Sequence, residues 1–151
     1  ESVYRRRLAQ GDICYIQKVD GTLVSYNWVS LTRCGTYVGF DKEAIFRALS
    51  DIQCFTYDFY TYKAYRNKGY GFLLKNYLLA DLYRRGRQEL LNCIEPTNDI
   101  SLRIHFKLNY QLDSIVTNFR LMKWCWTNHS TPRRKALVEN WMADYKAYHQ
   151  L

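Results

Sequence analysis

A strand that runs through two glycines into a helix constrains this chain more than any other feature of its sequence. Aromatic and β-branched residues are densest over Gln53–Tyr65, which predicts a central strand. Leucines at helical spacing predict a helix over Phe72–Tyr83, with Gly86 as its stop. The turn between them is Arg66-Asn67-Lys68-Gly69-Tyr70-Gly71. Glycines at a helix start let the backbone approach an anion, which the helix dipole attracts. The same pattern is typical of a plain tight turn with solvated charges, so the motif alone leaves both interpretations open.

The flanking segments supply further strands for the same sheet. Runs rich in β-branched and aromatic residues over Ile13–Val19 and Leu23–Leu31, joined by Asp20-Gly21, predict an antiparallel hairpin. An apolar run over Glu89–Glu95 follows the helix, which favours a strand parallel to the central one.

Two regions give weaker predictions. Between Thr32 and Asp51 the signals conflict, because Tyr37–Phe40 favours an extended chain while Lys42–Leu49 is compatible with a short helix, so a loop-rich connection is predicted. In the last third of the sequence, a helix is predicted over Ile100–Lys107 and two closing strands over Tyr110–Phe119 and Leu121–Trp126. A final helix is predicted to begin near Pro132 and to reach His149.

Composition limits the class of protein. A length of 151 residues predicts a single domain over residues 1–151. The net charge of +8 indicates an anionic partner, without distinguishing a nucleic acid from a phosphorylated cofactor. Polar residues interrupt every apolar stretch, so no membrane span is expected. The five cysteines include no Cys-x-x-Cys pair, which favours reduced thiols, a cytoplasmic protein and no metal site.

Two spaced motifs resemble one known family. The turn Arg66-x-x-Gly69-x-Gly71 lacks the third glycine of a Rossmann fingerprint and the Gly-Lys-Ser/Thr of a Walker loop. It resembles the pyrophosphate loop of the GNAT superfamily of N-acyltransferases, which has Arg/Gln-x-x-Gly-x-Gly/Ala there. Downstream, Asn98-x-x-Ser101-x-x-Ile104-His105-x-Lys107-x-Asn109-Tyr110 is similar to the family pattern Asn-x-x-Ala-x-x-Leu-Tyr-x-Lys-x-Gly-Phe. The resemblance covers Gln53–Tyr110 and implies an α/β (α+β) fold. Its central sheet would be mixed but mostly antiparallel, flanked by helices, and splayed between the fourth and fifth strands.

The resemblance implies that acetyl-CoA is the cofactor and that backbone groups hold most of it. The pantetheine arm would pair like an added strand along Phe59, Tyr60 and Thr61. The amides of the loop would hold the pyrophosphate, through residues Arg66, Asn67, Lys68, Gly69, Tyr70 and Gly71. Asn98 would contact the same cofactor, and a helix-capping role for its side chain is compatible with that contact.

The resemblance also implies direct attack of a neutral acceptor amine on the thioester, helped by a general base. Asp58 on the central strand is the first candidate base and Glu95 the second; for each, the alternative is an ordinary salt-bridged carboxylate. His105 stands where the family frequently has the tyrosine that protonates the departing thiolate. It is a candidate for that role, with a packing or surface role as the alternative.

The expected partner is a small-molecule or peptide amine rather than a nucleic acid or a membrane. The three basic clusters are expected to be solvated faces or supports for the CoA phosphates: Arg5-Arg6-Arg7, Arg84-Arg85-Arg87 and Arg133-Arg134-Lys135. The hairpin begins soon after Glu1, so the family's usual first strand and two helices are expected to be missing. A homodimer or an upstream domain would then complete the acceptor side. Two other functions stay open: a non-catalytic CoA- or anion-binding module, and O-acyl transfer in polysaccharide metabolism.

Overall fold

A computed structural model describes residues 2–37, 43–95, 97–107, 116–121 and 124–129. The chain divides into two compact units, one formed by Glu1–Tyr37 with Ile45–Cys93 and the other by Val38–Ala44 with Ile94–Leu151. One domain over residues 1–151 stays a prediction.

The first unit contains a four-stranded sheet of β1 (Ile13–Val19), β2 (Thr22–Ser30), β5 (Gln53–Thr61) and β6 (Glu89–Asn92), which lie side by side in that order. The strand β2 is antiparallel to both β1 and β5, whereas β5 and β6 are parallel. The other elements are α1 (Val3–Ala9), β3 (Arg33–Tyr37), a 3-10 turn (Lys63–Tyr65) and α2 (Tyr70–Arg84); β3 pairs with β4 (Glu43–Ala48) in a separate two-stranded sheet.

The predicted hairpin is confirmed as β1 and β2. Its turn uses Asp20 and Gly21, with φ of 49° and 79°, and Val19 pairs with Thr22 across it. Two successive residues with positive φ are what a two-residue hairpin turn of the primed type requires.

The core of the first unit lies between α2 and the sheet. The leucines of the α2 stripe are buried against residues of β1, β2 and β5. The cluster consists of Tyr15, Val29, Cys54, Leu74, Leu78 and Leu82. The predicted strand, glycine turn and helix are thus confirmed, and α2 ends at Arg84 just before Gly86, whose φ is 80°.

The strand β5 carries a bulge in the middle of the sheet. Two of its residues, Asp58 and Phe59, lie opposite the single residue Asn27 of β2. Asp58 has a φ of 48°, in the left-handed region that non-glycine residues rarely adopt. The side-chain amide of Asn27 donates to the carbonyl of Tyr57 at 2.8 Å, so the disrupted ladder keeps a hydrogen bond there.

The parallel pairing of β5 with β6 is short. It runs from Gln53 opposite Glu89 to Thr56 opposite Asn92. No strand of the described residues pairs with that side of β5 beyond Thr56. We call this side of Tyr57–Thr61 the open edge, and the end of pairing at Thr56 and Asn92 the divergence point.

The loop-rich connection predicted between Thr32 and Asp51 is wrong, because this segment contains the paired strands β3 and β4. The alternative, a short helix over Lys42–Leu49, is wrong as well, since Glu43–Ala48 is the strand β4. Pairing with the nearby strand β3 outweighs the local helix propensity of alanine, arginine and glutamate.

In the described part of the second unit, a helix precedes a pair of strands. The helix is α3 (Asp99–Lys107), and the strands are β7 (Val116–Leu121) and β8 (Trp124–His129). The strands are antiparallel, from Val116 opposite His129 to Leu121 opposite Trp124. The predicted closing strands are confirmed with shifted bounds, while the final helix from Pro132 to His149 lies outside the described residues. None of the helices within the described stretches is long and apolar enough to cross a membrane.

Candidate functional site

The glycine loop ends in a left-handed turn that starts α2. Asn67 and Gly69 have φ of 59° and 79°, and Gly69 is the N-cap of the helix. No side chain within the described stretches caps this helix start, and no acidic residue lies in its first turn. The first backbone amides of α2 and the positive end of its dipole are therefore not neutralised by a cap or an acidic first turn, a combination suited to a phosphate group.

Gly71 brings the start of α2 into close contact with β5. A Cβ at this position would lie 2.9 Å from Cζ of Phe59 and 3.1 Å from Oγ1 of Thr61. The added carbon would thus be as close to Oγ1 of Thr61 as its hydrogen-bonding partner, Oγ of Ser25, is. Only glycine fits without displacing one of these side chains, so the sequence fixes the distance between the loop and the strand.

Two hydrogen bonds to β2 show which backbone groups of β5 face the open edge. The hydroxyl of Ser25 donates to the carbonyl of Tyr60 at 2.9 Å, and the amide of Tyr62 donates to the carbonyl of Val24 at 3.0 Å. Because backbone groups alternate along an extended chain, those of Phe59 and Thr61 point to the open edge. These are the residues for which a pairing role was predicted.

Two exposed cations border the loop. Nε of Arg66 donates to the carbonyl of Thr61 at 2.9 Å, and its guanidinium lies 5.4 Å from the centre of the Tyr60 ring. Nζ of Lys68 lies 5.7 Å from the centre of the Tyr65 ring. Both cations are held near the loop by neighbouring rings, which leaves their charge next to the uncapped helix start.

Asp58 is held by an ion pair on the face of the sheet opposite α2. Its carboxylate lies 2.5 Å from the guanidinium of Arg7, whose side chain is only 5% exposed, against 34% for Asp58. The same guanidinium lies 5.1 Å from the Trp28 ring and 5.0 Å from the Tyr57 ring. The salt-bridged alternative is therefore present, and the remaining exposure keeps the carboxylate within reach of a ligand.

The other three predicted site residues belong to the second unit. Asn98 is exposed, and its side-chain oxygen accepts from the amide of Ser101 at 3.1 Å, so it caps α3. His105 is 2% exposed, with Nδ1 at 2.7 Å from the carbonyl oxygen of Ser101 in the preceding turn. Glu95 is exposed. The capping role of Asn98 is confirmed, and the catalytic and cofactor roles of the three residues stay predictions.

A buried lysine beside the predicted cofactor strand was not among the residues predicted from the sequence. Lys75 is 0% exposed; its Nζ lies 3.3 Å from Oγ1 of Thr56 and 5.2 Å from the centre of the Phe59 ring. Burial lowers the pKa of Lys75 from 10.5 to about 8. A signal was present, because Lys75 falls one helical turn after Gly71 and one before Leu78, on the apolar stripe of α2.

The burial of Arg7 also differs from the prediction. Its cluster was predicted to be a solvated face or a support for the CoA phosphates, yet Arg7 is only 4% exposed.

The residues that the structure describes contain no group of three or more histidine, cysteine, aspartate or glutamate side chains that could hold a metal ion.

Comparisons with known proteins bear on the fold. No family model matches the sequence, and no curated protein matches it. Among solved structures, aminoglycoside acetyltransferase AAC(6')-Iy in complex with a bisubstrate analogue of CoA is 19% identical, with a TM-score of 0.57 over 78% of this chain and 79% of that one.

Two further structures are similar to the same degree. An N-acetyltransferase from Staphylococcus aureus Mu50 is 14% identical, with a TM-score of 0.57 over 83% of this chain and 68% of that one. Aminoglycoside 6'-N-acetyltransferase AAC(6')-IG from Acinetobacter haemolyticus is 18% identical, with a TM-score of 0.56 over 78% of this chain and 76% of that one. The chain thus has the GNAT fold, and the predicted α/β class with a mixed, mostly antiparallel sheet is confirmed.

Proposed function

We propose that this protein is an acetyl-CoA-dependent N-acetyltransferase that transfers the acetyl group to an amine by direct attack on the thioester. One observation carries the proposal: Gly71 packs the uncapped start of α2 against Phe59 and Thr61, directly beside the open edge of β5. An anion site and an unpaired strand edge then lie side by side. A ligand with a pyrophosphate and an amide-containing arm matches both.

The residues of the first unit divide the binding of acetyl-CoA between them. The amides from Arg66 to Gly71 hold the pyrophosphate, and the two cations Arg66 and Lys68 add attraction for its charge. The backbone groups of Phe59 and Thr61 pair with the arm as an added strand, with Tyr60 between them facing β2. Asn98 is proposed as a further contact, while its side chain caps α3.

In the reaction, the acceptor nitrogen bonds to the acetyl carbon, the carbon–sulfur bond breaks, and the nitrogen loses a proton. Asp58 is the first candidate to take that proton, because it is the carboxylate at the β5 bulge and is partly exposed. Glu95 is the second candidate. His105 is proposed to protonate the departing thiolate.

Several of the similar structures are acetyltransferases, which supports this class of activity. AAC(6')-Iy is described with a CoA-containing bisubstrate analogue and also with CoA. Other similar structures are a ribosomal-protein-alanine N-acetyltransferase from Brucella melitensis and the aminoglycoside enzymes. A small-molecule amine and a peptide amine are thus both acceptors to test here.

The decisive experiment compares two glycines at opposite ends of α2. Gly69 and Gly86 have φ of 79° and 80°, and neither has an atom within 4 Å of an added Cβ. Gly69→Val and Gly86→Val therefore introduce similar backbone strain, but only the first alters the loop. Calorimetric titration with acetyl-CoA and desulfo-CoA is expected to show lost affinity in Gly69→Val and wild-type affinity in Gly86→Val. Equal affinity in both variants would contradict the proposal.

A second candidate function is a module that binds CoA without catalysis. It is favoured by the two candidate catalytic groups with existing partners: Asp58 pairs with Arg7, and Nδ1 of His105 lies at the Ser101 carbonyl. Release of free thiol from acetyl-CoA, measured over a panel of amines, separates the two functions. Turnover above the rate without protein supports the enzyme, and CoA binding without turnover supports the module. A parallel panel of hydroxyl acceptors tests O-acyl transfer.

A further inference from the structure

A buried ammonium group lies at the divergence point of the sheet. Nζ of Lys75 is within 3.3 Å of the hydroxyl of Thr56, the last residue of β5 that pairs with β6. It also lies 5.2 Å from the centre of the Phe59 ring, the side chain against which Gly71 packs. Lys75 thus contacts Thr56, where the open edge begins, and lies next to Phe59, which packs against the glycine loop at Gly71. All these residues belong to the first unit.

The described surroundings of Lys75 use only part of the hydrogen-bonding capacity of its amine. An ammonium group has three N–H donors, and among the described residues Thr56 is the one acceptor bonded to Nζ. Among the described residues, the other titratable group that acts on it is the thiol of Cys54 on β5, and burial raises the pKa of that thiol to about 11. Below that pH the thiol is neutral. No residue in the described part of the chain supplies a counter-charge to this amine. Since a buried cation without one is unfavourable, the site is suited to an additional acceptor.

The open edge determines which part of acetyl-CoA arrives there. An arm that starts at the phosphate loop beyond Thr61 and pairs along β5 must run towards Tyr57. It has to stop at Thr56, because β6 occupies the edge from that residue onwards. The acyl end of the molecule, with its carbonyl oxygen, is thus brought to the divergence point beside Lys75.

We propose that Lys75 donates a hydrogen bond to the thioester carbonyl oxygen of bound acetyl-CoA and stabilises the negative charge that develops on this oxygen during transfer. This role rests on the proposed acetyltransferase function. When the acceptor nitrogen attacks, the carbonyl electron pair moves to the oxygen, and it returns when the carbon–sulfur bond breaks. Lys75 keeps its proton throughout and acts through its charge.

The proposal has a signature in binding. A carbonyl acceptor favours protonated Lys75, so its pKa in the complex is higher than in the unliganded protein. Binding of acetyl-CoA then takes up protons, and its affinity falls as pH rises above about 8. Desulfo-CoA has no thioester carbonyl and no ionisable thiol, so it serves as the matched ligand without this effect.

The test is the ratio of the dissociation constants of acetyl-CoA and desulfo-CoA, measured by calorimetry from pH 6.5 to 9.5. In the wild-type protein this ratio is expected to rise about tenfold, which corresponds to a change of about one in the pKa of Lys75. In Lys75→Met the ratio is expected to be independent of pH. Lys18→Met, which removes an exposed lysine of β1, is the control and is expected to behave as wild type.

A direct measurement removes the dependence on a folded variant. NMR titration of the Lys75 side chain in the wild-type protein is expected to show a higher pKa with acetyl-CoA than with desulfo-CoA. An equal pKa with both ligands, or a ratio of constants independent of pH, would overturn the proposal while leaving the cofactor assignment intact. Failure of both ligands to bind would overturn the role of Lys75 together with the proposed function.

Discussion

Replacing Lys75 by methionine is expected to stabilise the protein at neutral pH. Methionine keeps most of the length of the lysine stem and removes the amine. Burial lowers the pKa of Lys75 from 10.5 to about 8, and this difference corresponds to about 3 kcal/mol of unfolding free energy at pH values where the amine is charged. Losing the hydrogen bond to Thr56 offsets about 1 kcal/mol. The expected net gain at pH 7 is about 2 kcal/mol.

The gain depends on pH in a defined direction. Below pH 8 the amine is protonated in both the folded and the unfolded chain, so the wild-type protein carries the full unfavourable contribution. Between about 8 and 10.5 the unfolded chain binds the proton and the folded chain does not, so wild-type stability rises with pH. The advantage of Lys75→Met therefore disappears over this interval. The thiol of Cys54, whose pKa is raised, acts in the opposite sense in both proteins and largely cancels in the comparison.

Urea unfolding of the two proteins at pH 7, 8, 9 and 10 measures this difference, with Lys18→Met as the exposed control. A difference in stability that stays constant over these pH values would refute the reasoning. So would a variant that is less stable than wild type at pH 7. If the gain is observed, the wild-type lysine lowers stability at neutral pH, which is expected of a residue retained for binding or catalysis.

Three further predictions concern packing, the ion pair and a helix cap. Gly71→Ala is expected to lower stability by about 1–3 kcal/mol, measured by urea unfolding, because the new methyl group lies too close to Phe59; no loss would mean that the ring moves away readily. A double-mutant cycle of Arg7→Met and Asp58→Asn is expected to give a coupling of about 1–2 kcal/mol by thermal unfolding, reduced by the partial exposure of Asp58; additive effects would show that the pair is not stabilising. Asn98→Ala is expected to lower stability by about 1 kcal/mol in the same assay while Asn98→Asp keeps the cap, so equal losses would contradict the capping role.

Local chemistry accounts for the elements that the sequence predicted. The turn Asp20-Gly21 accepts two positive φ angles, which specifies the hairpin, and leucine periodicity with Gly69 and Gly86 at its ends specifies α2. The helix cap at Asn98 follows from the same kind of local signal. Each of these elements depends on residues within a few positions of one another.

Contacts with residues outside the segment itself account for what the sequence did not predict. The strand Glu43–Ala48 forms because it pairs with β3, and the helix propensity of its own residues does not record that pairing. Arg7 is buried because rings from β2 and β5 surround it, although its neighbours in sequence made it part of a basic cluster. Lys75 was the one partial exception, since its place on an apolar stripe was visible but its partner Thr56 was not.

Asp58, at the bulge, is one residue more than the regular alternation of side chains along β5 requires. Thr56 and Phe59 both face α2, while Tyr57 and Tyr60 face the opposite side, so side chains three positions apart share a face across the bulge. Deleting Asp58 would restore a regular period of two and leave every other side chain of the strand on its present face. Packing of the sheet alone therefore gives no reason for the extra residue. What it adds is a bend and a carboxylate where the strand passes from its β6-paired half to its open half.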